Sequence, residues 1–242
     1  MDQFHPIRYA RITEKNNREI VMLRGRGCSW RKCRFCDYHY DFSLDEASNF
    51  KLNEAVLGEV TGLYQRLEVI NSGSFTDLDE ATIGRIEAVA LSRDIRWLHV
   101  ECHWNDREAM RALKQRWAQR GICVKVKTGV ETFDSLFRES YLCKGITTHD
   151  PAEIAAWFDE CCLLQGIPGQ TAESMLADIQ TGLEYFERVC INIMQNNTKS
   201  IKADPKVIRL FAQEIYPRYR DNERVDILME NTDFGVGGAR DE

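Results

Sequence analysis

Residues 24–42 read "RGRGCSWRKCRFCDYHYDF". Three of the chain's nine cysteines, Cys28, Cys33 and Cys36, fall within these few positions, and His39 follows as a fourth possible donor. Thiolates are soft ligands that select zinc, copper(I) or iron–sulfur clusters. Three sulfurs and an imidazole suit a closed tetrahedral zinc site. Three thiolates alone suit an iron–sulfur cluster, and free thiols are the third reading. Arg31, Lys32 and Arg34, packed between the cysteines, argue against an inert apolar loop. Local spacing does not choose between the two metals, so the fold around the stretch has to.

The stretch leaves the end of a short apolar run, "EIVMLRG" (19–25). Similar strand-like runs recur at "RLEVINSG" (66–73), "RWLHVE" (96–101), "ICVKVKTG" (122–129), "ECCLLQG" (160–166) and "VCINIM" (189–194), with a late one at "RVDILME" (224–230). Several end in glycine or a polar cluster, where loops take over. Between them lie helical patterns at 45–60, 76–91, 105–120, 150–158, 171–186 and 204–215. The pattern at 105–120 ends in basic residues before Gly121, as helix C-termini do. "DP" opens those at 150 and 204, with Asp as N-cap and Pro in the first turn.

Strands alternating with helices mean βα units with parallel strands and right-handed crossovers. The chain has no G-x-G-x-x-G after the first run and no G-x-x-x-x-G-K-[ST], which removes dinucleotide-binding and P-loop readings. A full eight-stranded barrel takes roughly 250 residues. With 242 residues, an 18-residue leader (1–18) and a long cysteine loop, six strands in an incomplete barrel is the expected count. The expectation is therefore an α/β protein with a partial (β/α)6 barrel and the cysteine loop after strand one. Residues 19–242 are expected to form one domain, with a C-terminal extension from about 200. The site belongs at the C-terminal ends of the strands.

Composition narrows the function. With 43% hydrophobic and 29% charged residues, the chain is that of a folded globular protein. A net charge of −6 disfavours a duplex-nucleic-acid partner. The sequence has no apolar run of membrane-spanning length and no secretory signal, so a cytoplasmic protein without a membrane partner is expected. In that compartment the cysteines are not disulfide staples, and the six outside the loop read as small core residues.

With the cysteine loop placed at a barrel mouth, the chain resembles the radical S-adenosylmethionine superfamily over about residues 19–200. The usual C-x3-C-x2-C spacing is C-x4-C-x2-C here, "CSWRKCRFC". The resemblance implies a 4Fe–4S cluster on Cys28, Cys33 and Cys36, with the fourth iron open to S-adenosylmethionine and His39 not a ligand. "NSGSF" (71–75) stands where the family has a turn that meets the methionine amino group, which implicates Ser72, Gly73 and Ser74. Glu101, in "HVECHW", occupies a position where the family often has glutamate. In "KTGVETFD" (127–134), Glu131 and Thr132 are implied to bond the ribose hydroxyls, and either Arg138 or Lys144 to pair with the methionine carboxylate. "QGIPGQT" (165–171) resembles the Gly-x-Pro-Gly turn that packs on the adenine, and so implicates Gly166, Pro168 and Gly169. The implied chemistry is reductive cleavage to methionine and a 5′-deoxyadenosyl radical, fed by an electron donor such as flavodoxin or ferredoxin. It needs no side-chain base for that first step.

The remaining polar groups point to a substrate. Gln195, Asn196, Asn197, Glu230, Asn231 and Asp233 form an amide- and acid-rich set able to read a guanine-like ring and sugar hydroxyls, with Lys199, Arg31 or Lys32 available to a phosphate. The absence of an appended RNA-recognition or cysteine-rich module favours a small nucleotide substrate. In size, cysteine loop and NSGS turn the chain is similar to the queuine lyases, which release queuine from queuosine 5′-phosphate. That resemblance implies a lyase of queuosine salvage. Another small nucleoside, a tRNA, or a non-catalytic zinc module of three cysteines and a histidine are the alternatives.

Overall fold

The structure, a computed structural model, describes residues 7–37 and 40–229. One eight-stranded sheet runs through it in strictly sequential order. The strands are β1 (Tyr9–Ile12), β2 (Arg18–Leu23), β3 (Arg66–Asn71), β4 (Trp97–Glu101), β5 (Cys123–Glu131), β6 (Glu160–Gln165), β7 (Arg188–Ile193) and β8 (Val225–Leu228). β1 pairs antiparallel with β2, and every later pairing is parallel. The sheet curls into a partial barrel, as the sequence predicts, but with two strands more than the six counted there. The late run at 224–230 supplies β8, and the expected leader contains β1. "YARI" is too short and too mixed to announce itself; it takes its strand conformation by pairing Tyr9 to Val21 and Ile12 to Arg18 across a hairpin.

β2, β3, β6 and β7 are buried almost throughout, as parallel strands covered on both faces must be. The outer layer comprises α1 (Glu46–Leu57), α2 (Glu80–Ser92), α3 (Arg107–Ala118), α4 (Pro151–Ala155), α5 (Ala172–Tyr185), α6 (Pro205–Leu210) and α7 (Tyr216–Tyr219). Asp45, Asp79, Asp150, Thr171 and Asp204 cap the starts of α1, α2, α4, α5 and α6 by accepting backbone N–H bonds. Gly121 ends the α3 segment with φ +78°, where glycine carries no Cβ penalty. Helix and sheet meet in an apolar layer that includes Ile86, Trp117, Met175, Ile179, Phe211 and Ile215. Among the described residues no helix is long and apolar enough to cross a membrane.

The barrel's open seam is fastened at one end. Lys15 Nζ donates to the carbonyls of Arg220 and Asn222 at 3.2 and 2.9 Å. Asn16 Nδ2 donates to Asp226 Oδ1 at 2.9 Å. The β1–β2 hairpin turn is thus tied to the start of β8 by side chains rather than by a strand ladder.

Side chains alternate along each strand, so every second residue points into the barrel. The lowest interior layer is ionic. Arg18, Glu68, His99, Glu160, Arg188 and Asp226 come from six of the strands, Lys127 joins them from a seventh, and all are buried. Arg18 pairs with Glu68, and Lys127 Nζ lies 2.5 Å from Glu68 Oε1. Arg188 reaches Glu160 at 2.6 Å and Asp226 at 2.9 Å, and His99 Nδ1 sits 2.9 Å from Glu160 Oε1. Burial alone would raise the Glu68 carboxyl, but Arg18, Lys127 and Arg188 hold it well below the ordinary range. Burial likewise opposes ionisation of Glu160, yet the His99 hydrogen bond and Arg188 bring it down to about 2. The floor of the barrel is therefore charged, paired and closed.

Candidate active site

Above that floor, at the C-terminal ends of the parallel strands, lies a cavity of about 430 Å³. Cys28, Cys33 and Cys36 face it from the loop after β2, with Ile70, Asn71, Ser72 and Gly73 from β3 and the turn after it. Glu101, Cys102 and His103 enter from β4, and Lys127, Gly129, Glu131 and Lys144 from β5 and the loop behind it. Cys162 and Leu164 come from β6, and Cys190, Asn192, Met194, Gln195 and Asn197 from β7 and its exit.

The cysteine loop is held on three sides. Trp30 Nε1 donates to the Cys143 carbonyl at 2.8 Å, and the Trp30 ring stacks on His103 with centroids 5.5 Å apart. His103 Nδ1 accepts from the Asn105 N–H, so Nε2 carries the proton and donates to the Lys144 carbonyl at 2.8 Å. Burial, with Lys144 beside it, lowers the His103 pKa and keeps the ring neutral. At Gly73, a Cβ would come within 2.9 Å of the Cys28 backbone, so only glycine lets this turn lie against the first cysteine. On the third side the Arg34 carbonyl accepts from Ile201 N–H at 3.2 Å, and the Phe35 carbonyl from Asn197 Nδ2 at 2.6 Å. Phe35 is both core aromatic and cavity wall, packed with Leu142, Leu164 and Met194 against Cys33 and Cys36.

All nine cysteines are free. Burial pushes the Cys33 thiol up to about 12, against the pull of the Lys144 ammonium. Among the described residues no group of three or more His, Cys, Asp or Glu side chains is gathered tightly enough to hold a single metal ion. His39, the fourth donor of the zinc alternative, lies outside the described residues.

The polar wall opposite is built around an ion pair. Lys144 Nζ donates to Glu131 Oε1 at 2.8 Å, with both side chains largely buried. Burial would lower the lysine pKa, but Glu131 holds it above its ordinary value. Glu131 sits at φ +69°, next to an irregularity in the β5–β6 register between Gly129 and Glu131. This left-handed residue turns the carboxylate inward, and such strain persists where the surroundings over-determine it. Glu101 meets a cation, Lys127, at 3.1 Å. Burial opposes the charge on Lys127, but Glu68 and Glu101 raise its pKa well above the ordinary one.

The structure brings together the cysteines, Ser72, Gly73, Glu101, Glu131, Lys144, Gln195 and Asn197 of the residues singled out in the sequence. Others are engaged elsewhere. Ser74 bonds Asp106 and accepts from the His103 N–H at 3.0 Å. Thr132 donates to Asp178 at 3.1 Å. Burial raises Asp178 to about 6, despite its bonds from Phe133 N–H and Thr132. Arg138 is fully buried, with its guanidinium on Glu139 and the Thr148 carbonyl. Gly166 and Gly169 take φ +90° and +93° in the turn after β6, Gly169 close to Phe137, and Pro168 is exposed there. Asn196 accepts the Ala203 N–H, and Asn197 holds the cysteine loop. Arg31 lines the cavity, while Lys32 and Lys199 lie over the rings of Trp30 and Tyr40. Glu230, Asn231 and Asp233 fall outside the described residues. Sequence reasoning missed Lys127, Cys162, Cys190 and Asn192. Their signal was the every-second-residue series Glu160–Cys162 and Arg188–Cys190–Asn192 inside otherwise apolar strands.

No protein-family model and no curated protein matches the chain significantly. Among solved structures it is similar to a queuine lyase from Clostridium spiroforme bound to SAM and queuine, with 42% identity and a TM-score of 0.89. The likeness covers 96% of this chain and 99% of that one. A second likeness, to native anSMEcpe with bound AdoMet and Cp18Cys peptide, has 12% identity and a TM-score of 0.44 over 86% of this chain and 63% of that one, and carries no argument.

Proposed function

The chain belongs to the queuine lyase family, and on that premise we propose that it uses S-adenosylmethionine to release queuine from a queuosine substrate, taken as the 5′-phosphate and opened by radical chemistry. The observation that carries the radical reading is one cavity that gathers three soft thiols, a buried ion pair and a polar rim at the mouth of a partial barrel.

The donor set fits a 4Fe–4S cluster. Cys28, Cys33 and Cys36 share one loop and face one cavity. A polynuclear cluster takes each thiolate on a different iron, so the sulfurs need not converge on a point. When bound, the cluster supplies one electron to the sulfonium of S-adenosylmethionine, which yields methionine and a 5′-deoxyadenosyl radical. The rest of the work falls to the chain's own residues. Phe35 and Leu164 keep water from the thiols. Lys144, held in place by Glu131, offers the methionine carboxylate an ammonium; Arg138 has its donors on Glu139 and Thr148 instead. The turn at 71–73 packs its backbone against Cys28, where it is placed to meet the methionine ammonium. Glu131 and Glu101 are the acceptors for ribose hydroxyls. Gln195, Asn192 and Arg31 line the side left for the nucleotide. Arg26 and Arg34 present exposed basic charge on the loop, which suits an acidic electron carrier of the flavodoxin or ferredoxin kind.

The test uses anaerobically reconstituted protein with dithionite and S-adenosylmethionine, offered queuosine, its 5′-phosphate and a queuosine-containing tRNA. Queuine and 5′-deoxyadenosine from the monophosphate are expected. Cofactor cleavage with no queuine from any of the three would remove the substrate assignment. Protein that takes up no iron, or releases queuine without 5′-deoxyadenosine, would remove the radical one.

A further inference from the structure

Two cysteines outside the metal-binding loop stand side by side in the cavity wall. Cys162 on β6 and Cys190 on β7 are direct register partners on neighbouring parallel strands. Both face the cavity, and both are 7% exposed. With Leu228 they form a small apolar cluster separate from the main core. On the other flank Cys162 is paired with Gly129, which has no side chain to cover it. The neighbouring Cys190 thiol, and then burial, raises the Cys162 pKa well above the ordinary thiol value. Cys162 is therefore present as S–H and not as a nucleophilic thiolate. A neutral thiol in a radical enzyme's cavity has one outstanding capability: its S–H bond is weaker than the C–H bonds of a sugar, so it gives a hydrogen atom readily to a carbon radical.

We propose that Cys162 and Cys190 form a hydrogen-atom-donating pair that quenches the sugar radical left after the base has departed. This rests on the radical lyase reading above and assigns the step that reading leaves open. The 5′-deoxyadenosyl radical takes a hydrogen atom from the sugar and becomes 5′-deoxyadenosine. The base leaves with the glycosidic electron pair and takes up the proton that the sugar gives up, so the unpaired electron stays on the sugar. One thiol then transfers its hydrogen atom: the S–H bond breaks, a C–H bond forms, and a thiyl radical remains. The neighbouring thiol stabilises that thiyl by contact. One electron from the same low-potential one-electron carrier and one proton from water restore the S–H. Each turnover thus draws two electrons, one to cleave the cofactor and one to regenerate the thiol.

The experiment is turnover of the reconstituted holoenzyme on queuosine 5′-phosphate in deuterium oxide, where thiol protons exchange with solvent. One solvent deuterium bonded to carbon should appear in each sugar product. Cys162→Ser and Cys190→Ser keep nearly the volume and a polar hydrogen, but an O–H is too strong to donate. Each, or the double variant, should retain iron and initial 5′-deoxyadenosine formation within about twofold, while carbon-bound solvent deuterium falls at least tenfold. Cys162→Ala and Cys190→Ala should behave alike, which separates lost chemistry from serine's polarity. Wild-type protein that releases queuine with no solvent deuterium on carbon overturns the pair and leaves the lyase reading intact. Undiminished deuterium in the double variant does the same. Absence of 5′-deoxyadenosine from the wild type overturns the parent reading, and the pair with it.

Discussion

Lys144 and Glu131 close their 2.8 Å ion pair over the backbone of Gly129, so that a methyl group there would overlap the carboxylate and come 2.7 Å from the ammonium. A strand residue with no side chain is thus what gives the pair its place in the cavity wall. Gly129→Ala should leave the sheet standing and displace the pair. The expected outcome is S-adenosylmethionine affinity weakened about tenfold, or about 1.4 kcal/mol, measured by equilibrium binding to folded protein. Affinity unchanged within twofold would mean that the pair does not meet the cofactor.

The same pair should be costly to break from one side only. Lys144→Met leaves a buried carboxylate without its cation, a change worth about 3–5 kcal/mol of stability. Adding Glu131→Gln removes the orphaned charge and should restore much of that loss. Urea unfolding of the two single variants and the double variant closes the cycle. A double variant no more stable than Lys144→Met would place the lysine's contribution elsewhere, for instance in its contact with Phe35.

In the barrel floor, Glu160 titrates at about 2 instead of its ordinary 4.5. A depressed carboxylate stabilises the fold above its unfolded pKa and loses that contribution as pH falls through the folded one. The window is therefore from about pH 4.5 down to about 2, and the loss about 3 kcal/mol. Glu160→Gln should be less stable at neutral pH and flatter across that window. Denaturant midpoints at pH 7, 4.5 and 3 measure both, and parallel profiles for the two proteins would count against the assignment.

Cluster and cofactor roles separate by substitution. If the proposed cluster is held by Cys28, Cys33 and Cys36, alanine at any one of them should abolish iron loading, because it leaves only two thiolates. Glu101→Gln should keep the iron and weaken cofactor use, since it removes a mouth carboxylate paired to Lys127 and not a thiolate. Iron analysis beside 5′-deoxyadenosine yield reads the two apart. Iron lost from Glu101→Gln would make this residue a support of the loop.

What was legible in the sequence followed from local physics. Apolar runs closed by glycine, and Asp-Pro openings at 150 and 204, specify strands and helix starts within a few residues of themselves. The cysteines were legible because they sit close together in the chain. Glu101 was legible because it ends a strand run at a position where the family often has glutamate; its partner Lys127 was not. What the sequence left open is non-local. Arg138 reads as a free cation until the Thr148 carbonyl and Glu139 appear beside it. Asn196 and Asn197 read as a recognition edge; only the fold shows that they also hold the backbone of their own loop and of the cysteine loop. Cys162 and Cys190 read as core and are buried; only the β6–β7 register shows that they stand together on the cavity side.

The ionic floor has a kinetic consequence. Its charges are buried, Glu68 at 1% exposure and Arg188 at 8%, so the lower end of the cavity is walled by paired ions and not by apolar packing. The cavity lies at the C-terminal ends of the strands, and ligands that arrive or leave there share one mouth. The proposed reaction, with two products from the cofactor and two from the substrate, then becomes a queue, in which whatever enters last blocks the exit of what entered first. Inhibition patterns by each product report that queue, and they are set by the floor as much as by any group that touches the ligands.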